Sequence, residues 1–367
     1  MVKPDKKLRL GIIGANVGYG WTPRAHAPAI AELTDIDLVA VCTAHEATAK
    51  ESAEKFGAEL AFHNHLDMLE QADLDAVAVV LRVPKHYQIT CDVIRAGKHT
   101  YTEWPLGANL VEAQKMAQLA DQAGIFTMVG LQSRAAPVFM LVKDMIQNGY
   151  VGNVLSANLS QFMSGVLSRP TGRTWQKDVE LGATTLTIPF GHSIDALCMC
   201  LGEFEKIGAN VSTRAPQWKD IDTGEMVDVS SPDTISINGV LRDGVTVSAQ
   251  VSAIPYHGSG YRFDIYGTDG TLSVQSNGSP STGSVHLYGG KPGDGSLKEI
   301  DIDSSYVTVP ATVPEGPAFN IAQLWQRFAD GVSSGEGIEP DFKSAVKRHE
   351  LLDAIQNASD TGSVQYL

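Results

Sequence analysis

Cysteine is scarce: Cys42, Cys91, Cys198 and Cys200 are the only four in 367 residues. So few, set so far apart, exclude a disulfide framework and a zinc site. They read as reduced, buried thiols, with Cys198 and Cys200 on different faces of one helix. Long apolar runs are lacking too, and a stretch such as 76–81 is far short of a membrane span. Runs of Lys or Arg are equally absent, and 28 Lys+Arg against 42 Asp+Glu leave a net charge of −14. A nucleic-acid surface or an anionic membrane calls for a concentrated positive field, so neither is an expected partner. Residues 1–7 are polar and run straight into a strand-like segment, which leaves no room for a leader peptide and points to the cytoplasm. What is present is ordinary globular composition, 43% hydrophobic and 19% charged. The length is about twice that of a usual domain, so two domains are expected.

Up to about residue 130, apolar runs alternate with amphipathic ones. Strands are expected at 8–14, 37–43, 75–83, 99–103 and 126–131, and helices at 46–56, 86–95 and 109–122. The last helix opens on an Asn109-x-x-Glu112 cap and stops at Gly124, where the chain can turn left-handed. Val/Ile/Leu-rich strands alternating with helices predict a parallel sheet covered on both faces. After a helix at 137–148 the pattern changes. From about 153 to 303 most of the chain reads as strands, with turns at Arg242-Asp243-Gly244 and Thr268-Asp269-Gly270. A helix at 187–201 interrupts them, and two more, 319–331 and 342–359, close the chain. The Gly/Ser-rich segments 276–283 and 289–296 read as hairpin tips. The expected class is therefore α/β: a dinucleotide-binding domain at 1–132, then an α/β domain at 133–367 with a large, mostly antiparallel open sheet, its closing helices at about 317–360.

The main chemical signal is Gly14-Ala15-Asn16-Val17-Gly18-Tyr19-Gly20, set between the first strand and a helix. Such a turn brings backbone N–H groups and a helix N-terminus up to a pyrophosphate, as in the Rossmann fold. Gly14 makes the tight turn, Gly18 or Gly20 allows close approach, and Asn16 stands where a second glycine is usual. The second strand normally ends in an acidic residue for NAD or a basic cluster for NADP. Here it runs Val41-Cys42-Thr43-Ala44-His45, and Thr43 suits either a ribose hydroxyl or the start of the next helix. NAD or NADP is expected, with NAD slightly favoured. His63 and His65 stand two apart with no third ligand in view, so they read as surface loop and no metal site is expected.

Several further segments carry a family pattern: Gly11-Ile12-Ile13-Gly14, Arg82-Val83-Pro84-x-His86, Ala96-Gly97-Lys98-His99 leading to Glu103-x-Pro105-Leu106, Gly191-His192-x-x-Asp195, and Pro340-Asp341-Phe342 with His349-Glu350-Leu351-Leu352. Their order and spacing resemble the glucose–fructose oxidoreductase and inositol dehydrogenase (Gfo/Idh/MocA) family over nearly the whole chain. The stretched loop before His26, the Glu103-Trp104 pair and Val129-Gly130-Leu131-Gln132-Ser133-Arg134 are similar to the branch that holds the NAD(P)-binding galactose-pathway repressor. The resemblance implies an NAD(P)-dependent oxidoreductase acting on a sugar, a cyclic polyol or a related hydroxylated ring. It places Arg82, Pro84, His86, Glu103 and Trp104 around the nicotinamide.

Oxidising a secondary alcohol requires a hydride acceptor and a group that takes the hydroxyl proton. Where dehydrogenases of this family carry a lysine between the Glu and the Pro, this chain has Trp104, whose indole N–H only donates. The aspartate often found four residues before the helix histidine is here Ile188. That leaves His192 as the expected acid/base, with Asp195 one turn on to orient it or touch substrate. Lys177 and Tyr256 are the further candidates for the proton step. Arg173 and Trp175 in Arg173-Thr174-Trp175-Gln176-Lys177, and His257 in Pro255-Tyr256-His257-Gly258, are candidates for substrate contact. Two rivals stand beside a dehydrogenase: a cofactor-binding sensor that regulates a protein partner, which Trp104 and Ile188 favour, and a glycoside-cleaving enzyme that regenerates its own NAD⁺. A homodimer or homotetramer is expected, because half of the antiparallel sheet calls for a cover that the closing helices do not supply.

Overall fold

The computed structural model describes residues 7–367, so most of the polar opening at 1–7 lies outside the described residues. The chain forms two units. One runs up to Gln132 and takes in Thr308–Lys347, and the other is Ser133–Val307 with Arg348–Leu367.

The first unit is built on six parallel strands: β1 (Leu8–Ile13), β2 (Ile36–Cys42), β3 (Leu60–Phe62), β4 (Ala76–Val79), β5 (His99–Thr102) and β6 (Thr127–Val129), in the order β3-β2-β1-β4-β5-β6. All four residues of β4 are buried, as strands covered on both faces must be. The helices are α1 (Ala27–Ile30), α2 (Glu46–Phe56), α3 (His65–Gln71), α4 (His86–Arg95) and α5 (Leu110–Ala123). Side chains and glycines set their ends. Asn109 Oδ1 accepts from the Glu112 amide at 3.0 Å, while Glu112 returns a carboxylate to the Ala108 amide at 2.8 Å. Gly57 and Gly124 end α2 and α5 at φ 74° and 65°. The sequence reading has no β3 or α3. His65, expected in a surface loop, begins α3 behind the Asn64 cap and meets Asp92 at 3.1 Å.

The second unit begins with α6 (Pro137–Gln147) and later adds α7 (Gly191–Leu201). Its main sheet has nine strands: β7 (Val154–Ser164), β9 (Phe204–Ser212), β12 (Thr234–Leu241), β13 (Thr246–Ile254), β14 (Gly260–Gly267), β15 (Thr271–Ser276), β16 (His286–Gly290), β17 (Lys298–Ile300) and β18 (Gln365–Tyr366). Only β7 and β13 pair in parallel, so the sheet is mostly antiparallel. A second sheet joins three short pieces, β8 (Ser168–Arg169), β10 (Gln217–Asp220) and β11 (Met226–Asp228), in the order β11-β10-β8. Helix α7 starts later than expected, because Pro189 has no N–H to give and the chain winds as a wider turn over Leu186–Phe190 first. One face of the main sheet exposes Asn158, Asn238 and Gln250.

The closing helices divide differently from the expected boundary. α8 (Pro317–Ser334) belongs to the first unit, where Trp325 Nε1 donates to His26 Nδ1 at 3.0 Å and Gln326 donates to Asp35 at 3.0 Å. The start of α9 (Phe342–Thr361) belongs there too, since its Phe342 amide donates to Thr127 and the Val129 amide to Pro340 O. The rest of α9 lies in the second unit, where Ser359 Oγ accepts from the Val211 amide at 2.8 Å.

Burial pushes the His349 imidazole on α9 down from 6.5 to about 4. Its ring is then neutral in the folded chain while the unfolded chain takes up a proton below pH 6.5. The associated stability is whole above that pH and is lost as pH falls toward 4, which amounts to about 2 kcal/mol by pH 5. Urea unfolding at pH 7 and pH 5 should show this loss, and His349→Gln should reduce it.

Candidate cofactor and substrate residues

β1 ends where the glycine turn begins. Gly14 sits at φ 95°, and a Cβ there would stand 2.1 Å from Val80 O, so no other residue fits. Its amide donates to Cys42 O at 2.9 Å, and its carbonyl accepts from Thr22 Oγ at 2.9 Å. The loop is thereby tied to the end of β2 and to the short helical turn Thr22–His26. Gly20, at φ 93°, has open space around its would-be Cβ. Asn16 organises the loop from within, its Oδ1 accepting from the Gly18 and Tyr19 amides at 2.8 and 3.2 Å. A side-chain carbonyl thus occupies two of the N–H groups that the sequence reading assigned to a pyrophosphate.

Gly14→Ala should therefore cost about 1–3 kcal/mol of stability and weaken dinucleotide binding about tenfold or more. In Gly18→Ala the new methyl would meet only Asn16 Oδ1 at 3.5 Å, and stability should stay within about 0.5 kcal/mol. Thermal melts and cofactor titration of the two variants check the difference.

At the end of β2, the Thr43 hydroxyl donates to His45 O at 3.0 Å and meets Thr48 Oγ at 2.6 Å, so it serves the turn into α2. The first carboxylate after β2 is Glu46, exposed and paired with Lys50 at 2.6 Å. Arg82 and Pro84 lie in the turn that leads into α4, where the Lys85 amide donates to Arg82 O at 2.8 Å. His86 is buried between two carbonyls, Pro105 O at 2.8 Å from Nδ1 and Leu81 O at 2.9 Å from Nε2. Burial holds its pKa below the ordinary histidine value, although both carbonyls favour the protonated ring.

Glu103, expected beside the cofactor, is the centre of a buried hub in this geometry. Its Oε1 accepts from His26 Nε2 at 2.8 Å and from the Tyr101 hydroxyl at 3.1 Å, while Oε2 accepts from Gln132 at 3.2 Å. Trp325 donates to the other nitrogen of His26, so His26 carries its proton on Nε2 and gives it to Glu103. A Cβ at Gly130 would lie 2.7 Å from the Glu103 carboxylate, so that residue must be glycine for the hub to close. Trp104 follows directly and is 5% exposed.

In the second unit, His192 is the second residue of α7 and is half-buried. Its neighbour Ser193 donates to Gln161 Oε1 at 2.7 Å and so pins the start of the helix to β7. Asp195, expected to orient His192 or support its helix more than to act directly, is held by two arginines. It is fully buried, and its carboxylate takes Nε and Nη2 of Arg134 at 2.9 and 2.8 Å and Nε of Arg348 at 3.2 Å. Both oxygens are spent on arginines, which gives Asp195 a framework role and leaves no lone carboxylate to meet a substrate.

Arg173, Trp175 and Lys177 share the helical turn Thr171–Lys177, which packs on β8, β10 and β11. Tyr256 is 72% exposed. Beside it His257 is the only non-glycine with a left-handed backbone among the described residues, at φ 52°. The loop is held by Gly165 N donating to Pro255 O and Gly258 N to Ser164 Oγ. Among the described residues no three His, Cys, Asp or Glu side chains are grouped to hold a metal, and no helix is long and apolar enough to cross a membrane.

Two family models match. Residues 8–131 match the oxidoreductase family with NAD-binding Rossmann fold, and residues 137–276 match the Gal80p C-terminal domain. Among characterised sequences, the chain is 27% identical to dehydrogenase aclE of Aspergillus oryzae over 98% of both chains. It is 26% identical to the galactose/lactose metabolism regulatory protein GAL80 of Kluyveromyces lactis, over 82% of this chain and 71% of that one. Among solved structures, a super-repressor mutant of Gal80p from Saccharomyces cerevisiae superposes with a TM-score of 0.87 at 21% identity, over 98% of each chain. Levoglucosan dehydrogenase in complex with NADH and L-sorbose gives 0.85 at 21% identity, over 98% of this chain and 99% of that one.

Proposed function

We propose, for a chain that belongs to the Gfo/Idh/MocA oxidoreductase family, that it transfers hydride between NAD(P) and a sugar, a cyclic polyol or a related hydroxylated ring. The observation that carries this reading is the glycine turn. Gly14 lies where only a glycine fits and Gly20 lies open, which is the backbone a pyrophosphate demands. The residues fit the group: a dinucleotide would be held by the backbone of 14–20, and when bound it would supply the hydride acceptor. His192 takes the hydroxyl proton as hydride leaves and returns it in the reverse direction. Lys177 and Tyr256 stand as reserve bases, and Arg173, Trp175 and His257 as contacts to the ring. The face of the nine-stranded sheet that exposes Asn158, Asn238 and Gln250 is proposed to pair with a second copy.

A second reading has its own support. Trp104 replaces the family lysine with a buried indole that takes no proton. This favours a sensor that binds NAD(P) and sets its affinity for a protein, a regulatory role like the one in the name of the Kluyveromyces relative. Calorimetric titration with NAD⁺, NADH, NADP⁺ and NADPH decides first, followed by a scan of nicotinamide absorbance with sugars, inositols and glycosides, and by light scattering for mass. Binding with turnover supports the oxidoreductase. Binding without turnover supports the sensor, or, if a glycoside is consumed, a redox-silent glycosidase. No binding overturns all three.

A further inference from the structure

Arg169, at the end of β8, is a cation whose charge the protein leaves uncompensated. Its guanidinium lies over the Trp218 indole, 4.6 Å from the ring centre, and Nη1 donates to Gly165 O at 2.5 Å and Ser168 O at 2.9 Å. These contacts fix the side chain in one orientation. Its Nε is buried and meets no acceptor. Two carboxylates lie close in the chain pairing, since Asp220 is the register partner of Arg169, yet both are turned to other work. Asp220 accepts from Thr171 Oγ and from the Asp222 and Thr223 amides, and Asp222 accepts from the Thr171 amide. Among the described residues no carboxylate is within ion-pair distance of Arg169.

Burial first, and then the charge of Arg173, hold the Arg169 pKa below the ordinary arginine value. Arg169, partly desolvated and oriented by an aromatic face, is a local positive charge in a chain of net charge −14. A half-buried cation of this kind is stabilised by an anion that supplies the missing charge and acceptors, and a guanidinium suits the planar spacing of oxyanions.

We infer that the Arg169–Trp218 corner binds an oxyanion, a carboxylate or a phosphate, carried by the sugar or polyol substrate next to the turn Thr171–Lys177. This rests on the oxidoreductase reading for the word substrate, and on the Arg169 surroundings alone for the oxyanion. An acidic protein repels free anions at long range. The ring portion of a substrate, held by the neighbouring turn, therefore adds the binding that a bare ion lacks.

The test is calorimetric titration of the full chain at low salt with D-glucose, D-glucuronate, D-glucose 6-phosphate and inorganic phosphate. At least one anionic sugar should bind about tenfold or more tightly than glucose, and the comparison of glucuronate with glucose 6-phosphate tells carboxylate from phosphate. Arg169→Gln should weaken that anionic sugar by about 10- to 100-fold, in line with charged hydrogen bonds, and leave glucose unchanged. Arg169→Lys, which keeps the charge and loses the fork, should fall between. If Arg169→Gln fails to fold, Arg169→Lys carries the comparison and is expected to weaken only the anionic ligand.

Equal binding of glucose and both anionic sugars overturns the inference, as does anionic binding that a folded Arg169 variant leaves intact. Phosphate alone binding as well as glucose 6-phosphate overturns the substrate assignment. Turnover of neutral polyols without anionic binding would sink this inference and keep the oxidoreductase. Anionic binding lost in Arg169→Gln, with no turnover of any polyol, would do the reverse.

Discussion

Asp195→Ala is expected to destabilise the protein by about 3–5 kcal/mol, the range for breaking a buried ion pair from one side. The carboxylate is 0% exposed, as is Arg348, so neither has water to fall back on. Arg348 also reaches Glu203 at 3.0 Å and the Cys198 sulfur at 3.0 Å. Burial, more than its neighbours' charges, pushes the Cys198 thiol up to about 12, so it stays a neutral acceptor. The cluster then holds two guanidiniums, Arg134 and Arg348, against two carboxylates, Asp195 and Glu203. Removing Asp195 takes the buried carboxylate from both arginines and leaves Arg348 with Glu203, whose side chain is 36% exposed. Urea unfolding followed by circular dichroism measures the loss. A change below about 1 kcal/mol would mean that water enters and that the cluster is not closed.

The acid limb of stability should move as well. Burial alone would raise the Asp195 pKa, but Arg134 and Arg348 together outweigh it and hold the carboxyl below the ordinary aspartate value. With the folded pKa below the unfolded one, the stability it brings is present above about pH 4 and is lost as pH falls through the folded value. Asp195→Ala should thus be less stable at neutral pH and less sensitive to acid than the parent chain.

How much of this could be read from the residues depends on the range of the interaction. Helices α2 and α4 are found to the residue, because their signals are local: apolar spacing, and for α2 a glycine stop. β3 and β8 are three and two residues long and carry no periodicity to detect. α8 looks like any closing helix until Trp325 meets His26, 299 residues away in sequence. The site divides the same way. The glycine turn is a contiguous string, so it is legible, although the use of Asn16 within it is not. The partners of Asp195 lie 61 and 153 residues off, and His26 lies 77 from Glu103. No spacing in the chain announces that these carboxylates are consumed by internal donors rather than left for a ligand.

If the chain is the oxidoreductase proposed here, His192→Ala should lower kcat by about 10²–10⁴-fold, the usual loss for a positioned acid/base, while the cofactor Kd stays within about twofold. Elimination within a rigid setting leaves His192. The indole of Trp104 and the side chain of Ile188 take no proton, and the Asp195 carboxylate is closed off by two arginines. His192 keeps part of its surface open, on a helix start that Ser193 and Asp195 anchor from below. The helix should therefore survive the loss of the ring, and a melt within about 1 kcal/mol of the parent checks this. A structural histidine would lose activity through the fold, and nothing added to the solution would restore it. A proton-transferring one should be partly rescued by free imidazole, more at high than at low imidazole concentration, with KM for the polyol little changed. A folded His192→Ala chain that turns over at the parent rate would pass the proton step to Lys177 or Tyr256, and the same rescue assay with amines on Lys177→Ala would then separate those two.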